Sequence, residues 1–298
     1  MSNISICGLV NMEVTVGIDS FPFEYRPIDY RFFGVASNPG GVGYNLSLAF
    51  KALGDEVNLM SFCADDPAGR LIKAELEAKG VSTDNILTEN KATAQSVVLY
   101  DKEGKRSILC DLTDNQELSY PEDKFIASTE NADIICLCNI NYAASRIEDA
   151  KKTGALVATD VHCLSDINDE YNSRFMKAAD IVFLSNEAIM GREAAFSADI
   201  MRKYNNKIVI VGMGKEGALL RTTPGEEPRH IPAVYTRPVV NTVGAGDSLF
   251  AAFLHFYAKT RDAEKSLVKA AYFASYKIGD NGAAKGFLSE EKLLELIN

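Results

Sequence analysis

Short apolar runs recur along this chain, many of them separated by segments of helical length. Ile4–Leu9, Val57–Phe62, Ile134–Leu137, Leu156–Thr159, Ile181–Leu184 and Ile208–Val211 read as strands, and Val42–Leu53, Ala68–Lys79 and Ala198–Lys203 as helices. Strands that stay apolar at consecutive positions are buried on both faces, and their alternation with helices makes the sheet parallel. The expected fold class is therefore α/β, with a mostly parallel central sheet and helices on both faces. Ligands of such sheets bind outside the carboxyl ends of the strands.

Two stretches break the pattern. Between Leu9 and Gly40 no helix is signalled; Phe21, Phe23 and Tyr25 alternate, Pro27 interrupts, and Tyr30, Phe32 and Phe33 follow. Ala94–Tyr100 and Arg106–Cys110 read as a hairpin across Asp101-Lys102-Glu103-Gly104. Together they predict a small antiparallel β lid, over about residues 12–37 and 92–112, on a single domain spanning 1–298. The aromatic residues either fill a minor core, or cover the substrate, or form a face that pairs with a second copy as a homodimer. No internal repeat or linker divides the chain.

Length and charge narrow the function. At 298 residues the chain can bury a full α/β core, and 47% hydrophobic with 24% charged residues is ordinary for a globular protein. A formal net charge of −10 argues against nucleic acid as a partner. No apolar run is long enough to span a membrane, and the N-terminus lacks the parts of a signal peptide, so the expected location is the cytoplasm. Most of the six cysteines lie in apolar runs and none forms a CxxC pair, as in a reducing compartment.

The most informative segment is Val239-Val240-Asn241-Thr242-Val243-Gly244-Ala245-Gly246-Asp247-Ser248-Leu249-Phe250. It reads as a short strand ending at Asn241, a turn of small residues, and an apolar helix running to about Tyr257. Gly244 and Gly246 leave the turn bare, so the unpaired N–H groups of the helix start can approach an anion. Asp247 sits on the first helical turn. Alone it could simply stabilise the helix start. N–H donors beside a carboxylate are also what phosphoryl transfer to a hydroxyl requires.

Asn241-Thr242-Val243-Gly244-Ala245-Gly246-Asp247 resembles the D-T-x-G-A-G-D signature of the ribokinase-like (PfkB-type) carbohydrate kinases. Gly40-Gly41-Val42-Gly43-Tyr44-Asn45 resembles their G-G-x-G-x-N turn, and Ala64-Asp65-Asp66-Pro67-Ala68-Gly69 through Gly80-Val81 their D-D-x-x-G…G-V stretch. The resemblance covers essentially the whole chain. It implies transfer of the ATP γ-phosphate to a sugar hydroxyl, with Mg2+ and in some members K+. By the same resemblance Gly244, Ala245 and Gly246 form the anion hole and Asp247 is the general base. Asn11, Glu13, Gly41, Asn45 and Asn139 bind the acceptor, and Asn186, Gly212, Gly214 and Gly217 the nucleotide.

Several positions depart from the family pattern. Glu13 replaces an Asp, Val42 a common Lys, and Asn241 the first Asp of the signature, where a monovalent cation is held with the loop Ile278–Ala283. Ile189 replaces the Glu of an N-x-x-E motif that contacts magnesium through water, leaving Glu187 as a substitute. These changes point to an altered substrate. A nucleoside kinase of the same family is the alternative, and a non-catalytic sugar or nucleotide sensor a further one.

Other signals carry less. Gly212-Met213-Gly214-Lys215-Glu216-Gly217 fits a dinucleotide fingerprint as a string, but that motif needs a helix next, and Ala218–Thr222 reads as a second strand. Asp160 and His162, after Leu156–Thr159, are either a surface pair or contacts to metal-bound water or phosphate. His230 and His255 read as structural.

Overall fold

In the computed structural model, which describes residues 1–103 and 105–297, the chain enters the core through β1 (Asn3–Cys7) and leaves it for β2 (Asn11–Gly17) and β3 (Val35–Gly40). It returns by α1 (Val42–Leu53), β4 (Glu56–Phe62), α2 (Pro67–Ala78) and β5 (Ile86–Leu87), then departs again as β6 (Gln95–Tyr100) and β7 (Arg106–Asp111). Next come α3 (Glu122–Thr129), β8 (Ile134–Leu137), α4 (Asn141–Ala144), α5 (Ile147–Lys152), β9 (Leu156–Cys163), α6 (Glu170–Ala178), β10 (Ile181–Ser185), α7 (Glu193–Tyr204) and β11 (Ile208–Gly212). The strands β12 (Ala218–Arg221) and β13 (Arg229–Ile231) precede α8 (Ala245–Thr260), α9 (Ala263–Lys277) and α10 (Glu290–Ile297).

The large sheet runs β13-β12-β11-β10-β9-β8-β1-β4-β5. It is parallel from β5 to β11 and closes on an antiparallel edge of β12 and β13. Its inner strands, such as β8, β10 and β11, stay apolar at consecutive positions because both faces are covered. Ile134, Cys136, Ile181, Phe183, Ile208 and Ile210 pack on the face of α1, α8 and α9, whereas Ile135, Leu137, Val182, Leu184, Val209 and Val211 pack on the opposite one. Burying both halves of each pleat is what makes the sequence period disappear.

The lid is a second sheet of order β3-β2-β6-β7, with antiparallel pairs β2–β3 and β6–β7 and a parallel pair β2–β6 at its centre. Gly104, in the expected hairpin turn, lies outside the described residues. Two expectations are corrected. The alternating aromatics form no strand: Ile18–Gly34 is irregular, and Phe23, Tyr25, Tyr30, Phe32 and Phe33 are exposed rather than packed in a minor core. Pro22 and Pro27 each remove a donor that a ladder there would need. Nor is Val239–Asn241 a strand: both valines are exposed, and the N–H groups of Val240 and Asn241 converge on the one carbonyl of Ile278.

Candidate active site

The turn into α8 depends on Gly244, which holds a left-handed φ of 75°. A Cβ there would lie 2.3 Å from the carbonyl oxygen of Ala283, so no other residue fits without moving that loop. Ala245 donates its N–H to Thr242 O at 3.1 Å, and Ser248 closes the first turn on Gly244 O at 3.0 Å. Among the described residues, the N–H groups of Gly244, Gly246 and Asp247 have no acceptor. Three free donors at the positive end of a buried helix make an anion site. The sequence puts Ala245 in that set; the turn uses its N–H internally and leaves that of Asp247 free instead.

Opposite this turn stands the start of α1. Gly41 has φ 92°, and a Cβ on it would lie 2.5 Å from Leu9 O; one on Gly43 would lie 2.6 Å from Gly8 O. The two bare positions let α1 begin directly against the β1–β2 connection. Asn45, in its first turn, donates Nδ2 to Asp247 Oδ2 at 2.7 Å across 202 residues of sequence. Asn11 donates Nδ2 to Ser96 Oγ at 3.0 Å. The Oδ1 atoms of both asparagines are buried and, among the described residues, without a partner. Gly40 keeps the space beside Asn11 and Glu13 open, since a Cβ there would lie 3.3 Å from Asn11 Oδ1 and 3.7 Å from Glu13 Oε2. Burial and the charge of Asp247 push the Glu13 carboxyl above its usual range, with Lys277 and Arg106 pulling the other way.

The remaining expected positions divide. Asp160 is buried inside β9, accepts the His162 N–H at 2.8 Å, and is pushed up by burial. Asn139 follows β8, and its amide donates to Asn172 Oδ1 of α6 at 3.1 Å. Gly217 is required by packing, because a Cβ would lie 2.1 Å from Ile231 O, whereas Gly214 faces open space and Gly212 lies against Phe183. Asn186 is tied to that hairpin through its N–H to Gly212 O at 2.9 Å.

Glu187, the expected substitute for the missing motif carboxylate, pairs with Arg106 at 3.2 Å and accepts from Cys163 Sγ. Ile189 points into the core. Asn186 instead donates to Glu193 Oε1 at 2.9 Å, at the head of α7. Burial raises the Glu193 carboxyl, but the hydrogen bond from Asn186 and backbone N–H groups outweigh it, so the net shift is downward and the group stays charged. That pair fits a hydrated magnesium ion, which is usually held by a carboxylate or two plus substrate phosphates. Among the described residues no cluster of three or more His, Cys, Asp or Glu could cage a metal.

Three residues carry no sequence signal of their own. Glu193 looks like an ordinary acidic helix start, and Arg106 like a surface charge on β7. Lys277 looks like a basic last-turn residue of α9, yet it is 0% exposed and donates Nζ to the carbonyl of Val243, beneath the α8 turn.

The pfkB family carbohydrate kinase model matches residues 1–290. An ATP-dependent ribose-1-phosphate kinase of Halopiger xanaduensis is 25% identical over 286 residues, 95% of this chain and 94% of the relative. The structure of a microbiome-derived acarbose kinase superposes with a TM-score of 0.88 at 27% identity, covering 99% of each chain. Ribokinase of Arabidopsis thaliana, solved with ribose and ATP, shares the fold at a TM-score of 0.81 and 22% identity, covering 100% of this chain and 99% of that one. The chain thus belongs to the pfkB family of carbohydrate kinases, ATP-dependent phosphotransferases built on the ribokinase-like α/β fold.

Proposed function

We propose that this protein transfers the γ-phosphate of ATP to a hydroxyl of a neutral sugar, with Asp247 as the base. The Asn45–Asp247 hydrogen bond, beside three free N–H donors, is the observation that carries the reading. Asn45 fixes one carboxylate oxygen, leaving Oδ1 of Asp247 to take the hydroxyl proton as the oxygen attacks in line. The N–H groups of Gly244, Gly246 and Asp247 stabilise the charge spreading over the transferring phosphoryl. Asn186 and Glu193 would hold magnesium through water, and magnesium neutralises phosphate charge when bound. The hairpin Gly212–Gly217 would carry the nucleotide.

The acceptor side supports a hydroxyl-rich, uncharged ligand. Asn11 Oδ1 and Asn45 Oδ1 are buried acceptors awaiting donors, with Glu13 alongside. Sugar hydroxyls satisfy such atoms; a phosphate or a second carboxylate would repel them. Relatives named for ribose-1-phosphate and for acarbose mark how far acceptors vary in this family. The test is coupled ADP release with a panel of neutral sugars, sugar phosphates and nucleosides. Turnover of neutral sugars is expected. Preference for a nucleoside or a sugar phosphate would overturn the acceptor reading, and no release with any acceptor would overturn the activity.

A further inference from the structure

The Asn241 side chain and the adjoining loop are where the family pattern would set a monovalent cation, and the residues present do not fit one. Asn241 Oδ1 accepts the N–H of Val243 at 2.8 Å, and its amide donates to Asn281 Oδ1 at 3.2 Å. The site therefore lacks the carboxylate charge and has its side-chain oxygen already engaged. The Val243 carbonyl is engaged too, by the ammonium of Lys277. A positive charge already sits at the base of the turn, fully buried and supplied by the chain.

Burying an ammonium is costly unless anions and acceptors compensate. Lys277 gains Asp247 of α8, Glu13 of β2 and Asp280, just beyond its own helix, as surrounding negative charge. It also stands at the negative end of α9, which favours a cation. Its one hydrogen-bond acceptor among the described residues is Val243 O. A trans peptide points its C=O and N–H in opposite directions, so an ammonium that holds the Val243 carbonyl also sets the direction of the Gly244 N–H and polarises it. Gly244 N–H is one of the three free donors at the α8 start.

We propose that Lys277 is the resident cation of the transfer site: a positioning residue whose ammonium anchors the Val243–Gly244 peptide and offsets Asp247 and Glu13, so that turnover needs no monovalent metal ion. The inference rests on the kinase reading above for its turnover arm but not for its binding and stability arms.

For the wild type, replacing NaCl by KCl up to about 100 mM at constant ionic strength should change ADP release less than about twofold. The Kd for MgADP and the melting midpoint should be the same in the two salts. Lys277→Met, which fills the buried site without charge, should stay folded and lose about tenfold or more in kcat with acceptor KM little changed. Lys277→Ala opens the space, so about 10–50 mM ammonium, methylammonium or KCl should restore turnover severalfold and raise its melting midpoint above that in NaCl. A purely structural lysine would give no cation-specific rescue. Strong potassium activation of the wild type, or wild-type turnover by Lys277→Met, would overturn the proposal. If the wild type releases no ADP with any acceptor, the kinase reading fails instead. The melting and MgADP measurements on wild type and Lys277→Ala then decide Lys277: equal responses to both salts in both proteins overturn it.

Discussion

Asp247 has one oxygen held by Asn45 and the other free, and this asymmetry makes its replacement informative. Asp247→Asn keeps the size and the helix start but removes the base proposed above, so kcat should fall by roughly 10²–10⁴-fold while MgADP still binds in calorimetry. Glu13→Gln removes charge from an acceptor that faces the space over Gly40. It should cost about 1–3 kcal/mol in kcat/KM for the sugar and leave KM for ATP unmoved. Lys277 gives the pH dependence. Burial brings its ammonium from 10.5 down to about 8, against the pull of Asp247, Glu13 and Asp280. Turnover that needs the ammonium should fall as pH rises through about 8. Between there and 10.5 the unfolded chain holds a proton that the folded chain has released, so this lysine's contribution to stability should rise over the same window. Opposite slopes in kcat and melting midpoint, both absent from Lys277→Met, check the assignment. That Asp247 and Asn45 belong to one site was legible because both sit on glycine-rich turns of fixed spacing, and the structure joins their side chains at 2.7 Å. Lys277 and Glu193 were not, since a side chain that acts through a partner distant in sequence leaves no local pattern.

At the level of elements, part of the family motif turns out to serve the frame. Asp66 caps α2 through Gly69 N–H at 2.7 Å and also accepts the N–H and hydroxyl of Thr93, where the chain leaves for β6. Gly69 is fixed by the Ala64 carbonyl, 2.0 Å from where a Cβ would be. Burial raises the Asp66 carboxyl, but these hydrogen bonds outweigh it and leave it lowered overall. Asp66→Ala should therefore lower stability by about 1–2 kcal/mol in urea unfolding, the usual cost of a lost cap. The lid was legible as extended chain but not in its pairing, because the β2–β6 contact joins segments some 80 residues apart that carry no turn signal between them. The aromatic run misled for a related reason: alternation marks a strand only where a neighbour supplies the ladder. On the far edge, β7 is exposed along its length, with Ile108 and Leu109 open to solvent. An open apolar edge of this kind is a template for pairing with another strand.

Across the whole molecule, a chain of net charge −10 gathers one site from both ends of its sequence, the positive groups from one end and the acceptors for a sugar from the other. The N–H donors of α8 and the ammonium of Lys277 come from the last third, while Asn11, Glu13 and Asn45 come from the first fifty residues. The parallel sheet accounts for this convergence, since β1 lies inside it between β8 and β4, and α1 packs directly on α8. The order of strands could be read from the apolar runs only as a class, because a fully buried strand does not reveal its neighbours. The Asn45–Asp247 bond is where the two ends meet, so it should couple them energetically. Asn45→Ala alone frees the carboxylate to rotate and removes a charge-assisted hydrogen bond, which should lower kcat/KM by about 10–100-fold. In the Asp247→Asn background there is no carboxylate left to aim, so the same substitution should cost little more. The expected double-mutant cycle is thus strongly non-additive, with a coupling of about 1–3 kcal/mol. Losses that simply add would mean that Asn45 serves the sugar through its free Oδ1 alone and does not position the base.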